Sequence, residues 1–528
     1  MKKHIYLIGV LAALLCGCTN LDEEIYSSIP KDQFFTNEEA FAKYSARAYS
    51  TLQAWATEQS LWTLIIQLTN EIVAPLNPDG AWADERYGEL QFHNIPSSNK
   101  LLRLGWEYCF DGIAACNDVL DKVEDAADFP GKSKIVGEMK VLRAYYYLMA
   151  IDGWGNVPFS ISKKDKTYPP QKDRAFMFNF IETEIKENVA NLSKERSMAT
   201  YGRVTQGFAY GLLAKLYLNA QVWIGTEKWT EALACCDSVM QSGQYQIIDD
   251  YKDNFAVKNE NTAEGIFAIP YSTIYTKSDH NAFIIYMLTL PANMVKPAPA
   301  LLDPEAQASP VYSLAWNVNK DPWDGFVADP DFFASYDPAD TRKADTWIYG
   351  QLKDLEGNDL YIDLGAGYVP YVIDGAMDES VYTNRRTALQ GARIGKWPYQ
   401  SDGLLTGGQV SMDNDFYLMR YADIVLMRAE ALLRLNRKEE AAGMPELVKI
   451  RTRAGLPKLT VDDMTLDNLY LERMHELALE GWQRQDMIRF GKYLNAWWNK
   501  PAKDEKDLLL PIPSTALASN PNLTQNPK

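Results

Sequence analysis

The chain has 528 residues, 47% of them hydrophobic and 23% charged, so it can bury a large core and is not a low-complexity or disordered polymer. Its 53 basic and 70 acidic side chains leave a net charge of −17, a field that argues against nucleic acid as a partner. Four histidines and six cysteines, with no HExxH and no CxxC pattern, give no basis for a metal or a cofactor.

In chain order, Lys2 and Lys3 precede an apolar run over residues 5–15 that is too short to span a bilayer. The run ends at Leu15-Cys16-Gly17-Cys18, similar to the lipobox of bacterial lipoproteins. Residues 1–17 are therefore expected to be a signal peptide, with cleavage before Cys18 and a lipid on its thiol as an outer-membrane anchor. Residues 19–24 form an acidic run that reads equally as a surface-export signal or as a solvated linker.

Helical periodicity follows over residues 37–57, 99–123, 134–151, 174–192, 204–220, 229–241, 417–436 and 439–453. In 417–436, Leu418, Tyr421, Ala422, Val425, Ala429, Leu432 and Leu433 share one face, and Arg420, Asp423, Glu430 and Arg434 the other. The segments fall into pairs near the tetratricopeptide period, a pattern that stacks into a superhelix. Between about 251 and 415 the helical period fades and Pro, Gly, Asp and aromatics dominate, with short strands expected at 265–270 and 392–397. The expected fold is mostly α: a tetratricopeptide-like superhelix of about four helix pairs carrying an irregular, loop-rich binding lobe. Residues 18–528 form one domain, with scaffold at about 37–250 and 416–495 and the lobe at about 251–415. Cys109, Cys116, Cys235 and Cys236 are expected to be buried free thiols, because neither pair has disulfide geometry on a helix.

Six motifs in order resemble the SusD/RagB family. They are Arg143-Ala-Tyr-Tyr-Tyr147 running on to Gly153-Trp-Gly-Asn-Val-Pro158, Gly202-Arg-Val-Thr205, Arg420-Tyr-Ala-Asp423, and Arg451 to Leu456 with Arg453-Ala-Gly. Glu472-Arg473 then leads through Glu476-Leu477, Glu480-Gly481 and Arg484 to Asp486, and Pro511-Ile-Pro513 precedes Asn520-Pro521 and Gln525-Asn-Pro527. The resemblance implies a helical fold of four tetratricopeptide-like units and a SusC-like TonB-dependent barrel as partner. It also implies non-catalytic capture of oligosaccharides at the outer membrane. The motif charges Arg143, Asp423, Glu430, Glu472, Glu476, Glu480 and Asp486 sit in helical patterns and are expected to form buried or half-buried ion pairs.

A sugar presents apolar CH faces and a rim of hydroxyls, so its site needs aromatics outside helical periodicity, interleaved with polar groups. Two stretches qualify. In residues 77–87, Trp82 follows a Pro-Asp-Gly turn and has Asp79, Arg86 and Tyr87 beside it. In residues 316–326, Trp316 and Trp323 flank Asn317, Asn319 and Asp324. Arg385, Arg386, Arg393 and Lys396 form a local basic cluster, more readily a solvated surface than a uronic-acid site. A glycoside hydrolase would need two carboxylates about 5–9.5 Å apart across the scissile bond, and an adaptor binding only protein would not need the aromatic lobe.

Cys18→Ala is expected to leave a folded protein that no longer partitions with the outer membrane. Metabolic labelling with a fatty acid checks this, and label retained by the variant would place the lipid elsewhere.

Overall fold

A computed structural model describes residues 37–57, 59–74, 85–276, 294–295, 325–354, 356–363, 368–377, 389–400, 404–406, 409–498 and 500–527. The main helices are α1 (Glu38–Ser50), α2 (Leu61–Gln67), α3 (Glu85–Gln91), α4 (Lys100–Asp125), α5 (Lys132–Trp154), α6 (Arg174–Asn188), α7 (Gln206–Leu218) and α8 (Trp229–Gln241). After the lobe come α9 (Tyr421–Arg434), α10 (Pro445–Arg453), α11 (Leu466–Glu476) and α12 (Gln483–Arg489). Asn37, Ser60, Asn99, Asp173, Thr205 and Thr465 each cap a helix by accepting a backbone N–H of its first turn. Neighbours stack in sequence: α1 on α4, α4 on α5, α5 on α6, α7 on α8, α8 on α9, and α9 on α11. The fold is mostly α, a tetratricopeptide-like helical array with small sheets.

Every residue of α5 from Val141 to Trp154 is buried, Arg143 and Asp152 included. It ends at Gly155, whose φ of +71° suits a residue without Cβ. The C-terminal tail then locks this turn. Trp154 Nε1 donates to the Pro511 carbonyl at 3.1 Å, and Asn526 Nδ2 donates to the carbonyls of Trp154 and Leu510, each at 2.8 Å. Cys109, Cys116, Cys235 and Cys236 are buried free thiols; burial pushes the Cys235 thiol up to about 12.

The helix expected over 417–436 begins later. Residues Phe416–Arg420 form a strand paired antiparallel with Gly265–Ile269, and the helix starts at Tyr421. All five strand residues are buried, so no alternation of polar and apolar side chains marked them as β. The pairing fixes Arg420 at the strand end, where it is wholly buried.

Arg420 belongs to the first of two buried ionic networks. It meets Glu264 at 2.7 Å, Glu476 at 3.2 Å and Glu480 at 2.6 Å. Arg453 bridges Glu264 and Glu476, the latter at 2.6 Å. From the lobe, Arg342 holds Asp340 at 2.8 Å, Glu472 at 2.8 Å and Glu476 at 3.1 Å, while Lys396 meets Glu480 at 2.8 Å. Glu472 and Glu476 lie one helical turn apart and so present both carboxylates to the same guanidinium. Arg473, on another face of α11, starts the second network: it reaches Asp423 at 3.0 Å and Asp486 at 2.8 Å. Arg489 then joins Asp486 at 2.7 Å to Glu430 at 2.8 Å. Arg143 pairs separately with Glu184 at 2.6 Å. All seven motif charges are thus buried structural partners.

The basic cluster is corrected here. Arg393 and Lys396 are buried, not solvated: Arg393 donates to the carbonyls of Gln390 and Gly391, and Lys396 to the Ala478 carbonyl at 2.6 Å. Arg385 and Arg386 lie outside the described residues.

Burial raises the carboxyl of Glu476, but Arg453, Arg420 and Arg342 overcome it and hold the group down to about 2; Arg473 and Arg489 do the same for Asp486, also about 2. Both carboxylates would ionise near 4 in the unfolded chain. Their contribution is complete above about pH 5 and is lost as pH falls toward 2. Glu476→Gln is expected to cost about 3–5 kcal/mol, because it leaves buried guanidiniums underpaired. Lys164→Ala, at an exposed pair, should leave stability nearly unchanged. Urea titrations of both variants at pH 7 and pH 3 check this, and the gap between them should narrow at the lower pH.

Candidate functional site

The described residues bring the two aromatic stretches to a common base. Strand Ile72–Val73 pairs antiparallel with strand Val327–Ala328, Ile72 opposite Ala328 and Val73 opposite Val327. The first stretch follows Val73 and the second precedes Val327. In an antiparallel pair, the end where one strand leaves is the end where the other arrives. Both stretches therefore connect to the same end of this two-stranded sheet.

The far side of the first stretch returns to the same place. Tyr87, on α3, packs edge-on against Phe326 with ring centroids 5.5 Å apart and planes at 77°. Tyr87 is 1% exposed and Phe326 wholly buried. Asn99 holds this helix by donating to the Arg86 carbonyl at 3.0 Å and to Glu89 at 2.6 Å.

The base is fastened to the scaffold on both sides. The Ala328 N–H donates to the Ala392 carbonyl at 2.8 Å, and the Asp329 N–H to the Glu71 carbonyl at 3.1 Å. Gly391 sits against Val327 with φ +76°, and a Cβ there would lie 2.8 Å from the Val327 Cβ, so only glycine allows the approach. The Glu71 carboxylate accepts from the Leu479 N–H and from Thr69 Oγ1 at 3.1 Å. Trp62 Nε1 donates to the Leu479 carbonyl at 2.7 Å. Burial raises Glu71 to about 7 against the pull of these hydrogen bonds.

Of the residues expected from sequence to meet ligand, Asp79, Trp82, Trp316, Asn317, Asn319, Trp323 and Asp324 lie outside the described residues, as does the lipidation candidate Cys18. Arg86 is half-buried, with its guanidinium 5.4 Å from the centre of the Tyr87 ring. Tyr87 departs from the expectation: its ring is in the core, packed edge-on against Phe326 from a distant segment, and serves as an anchor rather than a surface platform. Trp154, Trp397 and Trp482 are buried; Trp397 stacks on Phe416 at 5.3 Å. Sequence reasoning missed Glu71, Gly391 and Phe326 as the fastening of the base. Among the described residues, no group of three or more His, Cys, Asp or Glu side chains could hold a metal ion, and no helix is long and apolar enough to cross a membrane.

Comparison with known proteins agrees with this architecture. The chain is 27% identical over 486 residues to the starch-binding protein SusD of Bacteroides thetaiotaomicron, covering 84% of this chain and 82% of that protein. It is 24% identical over 515 residues to a SusD-like protein of Bacteroides ovatus, covering 94% and 83%. Among solved structures, a laminarin-binding SusD-like protein superposes with a TM-score of 0.72 at 23% identity, over 93% of this chain and 99% of the other. Surface glycan-binding protein A of Bacteroides thetaiotaomicron, in complex with laminarihexaose, gives 0.71 at 19% identity, over 93% and 100%. These likenesses concern the fold. A family described as starch-binding and associating with the outer membrane matches residues 20–218. The SusD family itself matches residues 242–528, more than half of the chain and the part that holds both ionic networks. By that match, and by the ion pairs its motif residues form, the chain belongs to the SusD family.

Proposed function

We propose that this protein binds glycan fragments at the cell surface, leaves them chemically unaltered, and delivers them to a SusC-like TonB-dependent transporter of the outer membrane. A lipid on Cys18 holds it to that membrane. The observation that carries the binding reading is the common base: two separate stretches, one with an indole beside Asp and Arg and the other with two indoles beside Asn and Asp, connect to one end of one short sheet. Trp82 is five residues from Tyr87, and Trp323 three from Phe326. At no more than about 3.6 Å per residue, the chain tethers them within roughly 18 Å and 11 Å of two rings in contact. Indoles on such tethers can cover the two faces or successive rings of one oligosaccharide, while carboxylates and amides bond its hydroxyls. The glycans named for relatives, starch and laminarin, supply the first probes. The family description over residues 20–218, starch-binding and associating with the outer membrane, supports the surface assignment.

Trp82→Ala and Trp323→Ala should each weaken binding of a starch or laminarin fragment by about thirtyfold, equivalent to about 2 kcal/mol. Stability should change by no more than about 0.5 kcal/mol, as at other surface positions. If one groove is shared, the double variant loses less than the sum of the two. Calorimetric titration and thermal melts on the same samples check this. Melts that drop by many degrees with unchanged affinity, or release of shorter sugars during the titration, would sink the reading.

A further inference from the structure

A cleft of about 570 Å³ is lined by none of the residues assigned above to glycan. One wall is residues 93–95, just after α3, and the other is residues 502–511 of the C-terminal tail. His93, Ile95, Tyr493 and Leu510 give it a buried floor, and Asn94, Asp504 and Lys506 an exposed rim. Both walls are bonded in place. The Leu510 N–H donates to the Gly153 carbonyl at 2.9 Å, and the Ser514 N–H to the Ser97 carbonyl at 2.8 Å. In the floor, the His93 ring stacks on Tyr493 with centroids 5.2 Å apart, and the Arg484 guanidinium lies 5.1 Å from the centre of the Tyr493 ring. A preformed cleft of this volume, part apolar and part polar, has the character of a small-molecule site.

The charges of the cleft select its ligand. Its two acids are engaged in the turn Glu505–Leu508: Asp504 accepts from the Lys506 N–H at 3.1 Å and pairs with the Lys506 ammonium at 3.2 Å, while Asp507 accepts from the Asp504 N–H at 3.3 Å. The half-buried Lys503 ammonium, which also lines the cleft, forms no ion pair among the described residues. Two more cations stand behind the floor. The Lys500 ammonium is 3.5 Å from His93 Nε2. Arg484 donates to the carbonyls of Asp152 at 3.2 Å and Leu508 at 2.7 Å, with the Asp152 carboxylate 3.7 Å away. Burial, and then the charges of Lys500, Arg484 and Lys503, hold His93 well below the usual imidazole range, so the ring is neutral and the field on it is positive. That field favours an anion, in a chain whose net charge is −17. No guanidinium lines the cleft to grip a phosphate or sulfate through two bonds, and the two acids at the rim repel a second negative charge. A single carboxylate fits. The Asn94 amide and the rim acids suit hydroxyls, and Ile95, Leu510 and Pro511 suit an apolar face. We propose that the cleft between residues 93–95 and 502–511 is a second ligand site, which takes a sugar unit bearing one carboxylate, as in a uronic acid, with that carboxylate on Lys503.

Calorimetric titration of the full chain with sodium glucuronate, glucose and sodium sulfate tests this. Glucuronate should bind about tenfold or more tighter than either of the others, the worth of one hydrogen bond to a charged group. Lys503→Gln should weaken glucuronate by a similar factor and leave the melting temperature unchanged, because Lys503 holds no ion pair. A crystal structure with glucuronate should place its carboxylate within hydrogen-bond reach of Lys503 Nζ. Binding of a starch or laminarin fragment should be the same with and without Lys503→Gln, so this site and the aromatic one stand or fall separately. Glucose or sulfate binding as tightly as glucuronate, no saturable binding of glucuronate, or full glucuronate affinity in Lys503→Gln would overturn the proposal.

Discussion

The carboxylate of Glu476 accepts from Arg342, Arg420 and Arg453, which arrive from the irregular lobe, from the end of a strand and from helix α10. Arg342 is also held by Glu472, and Arg420 by Glu264 and Glu480; Lys396 brings a second lobe segment to Glu480. An apolar cluster of the same volume is often as stable as such a network. What charge adds is direction, because a guanidinium meets a carboxylate only in a narrow set of geometries. The described segments of the lobe that carry Arg342 and Lys396 therefore have a defined seat on the helices.

That seat is what makes the candidate site intelligible. Val327 is pressed against Gly391, Ala328 bonds Ala392, and residues 393–396 run directly to the Lys396–Glu480 pair. On the other strand, Glu71 bonds the Leu479 backbone beside the same glutamate. Both sides of the two-stranded sheet are thus fastened near Glu480. Binding residues carried on loops that a fixed scaffold positions can change while the scaffold does not.

The helices were legible because their apolar faces repeat at helical spacing, and the buried carboxylates because they recur at one-turn intervals along α11. Strand Phe416–Arg420 was not. Both its faces are buried, so its composition matches that of the helix it precedes, and its partner Gly265–Ile269 is remote in sequence. The common base was equally hidden: Ile72–Val73 and Val327–Ala328 are two-residue strands with no turn between them to signal pairing. Tyr87 and the Arg393–Lys396 pair misled for one reason. Residue type and neighbours suggested solvent, while packing of distant segments over them decided burial.

Residues 77–87 and 316–326 are proposed to act as one binding site on a shared base. Hydrogen–deuterium exchange, followed with and without a bound starch or laminarin oligosaccharide, tests it most directly. The account predicts slowed exchange in both stretches together, titrating with one affinity, while the paired strands beneath them exchange as before. Protection confined to one stretch, or appearing only elsewhere on the helical scaffold, would contradict it.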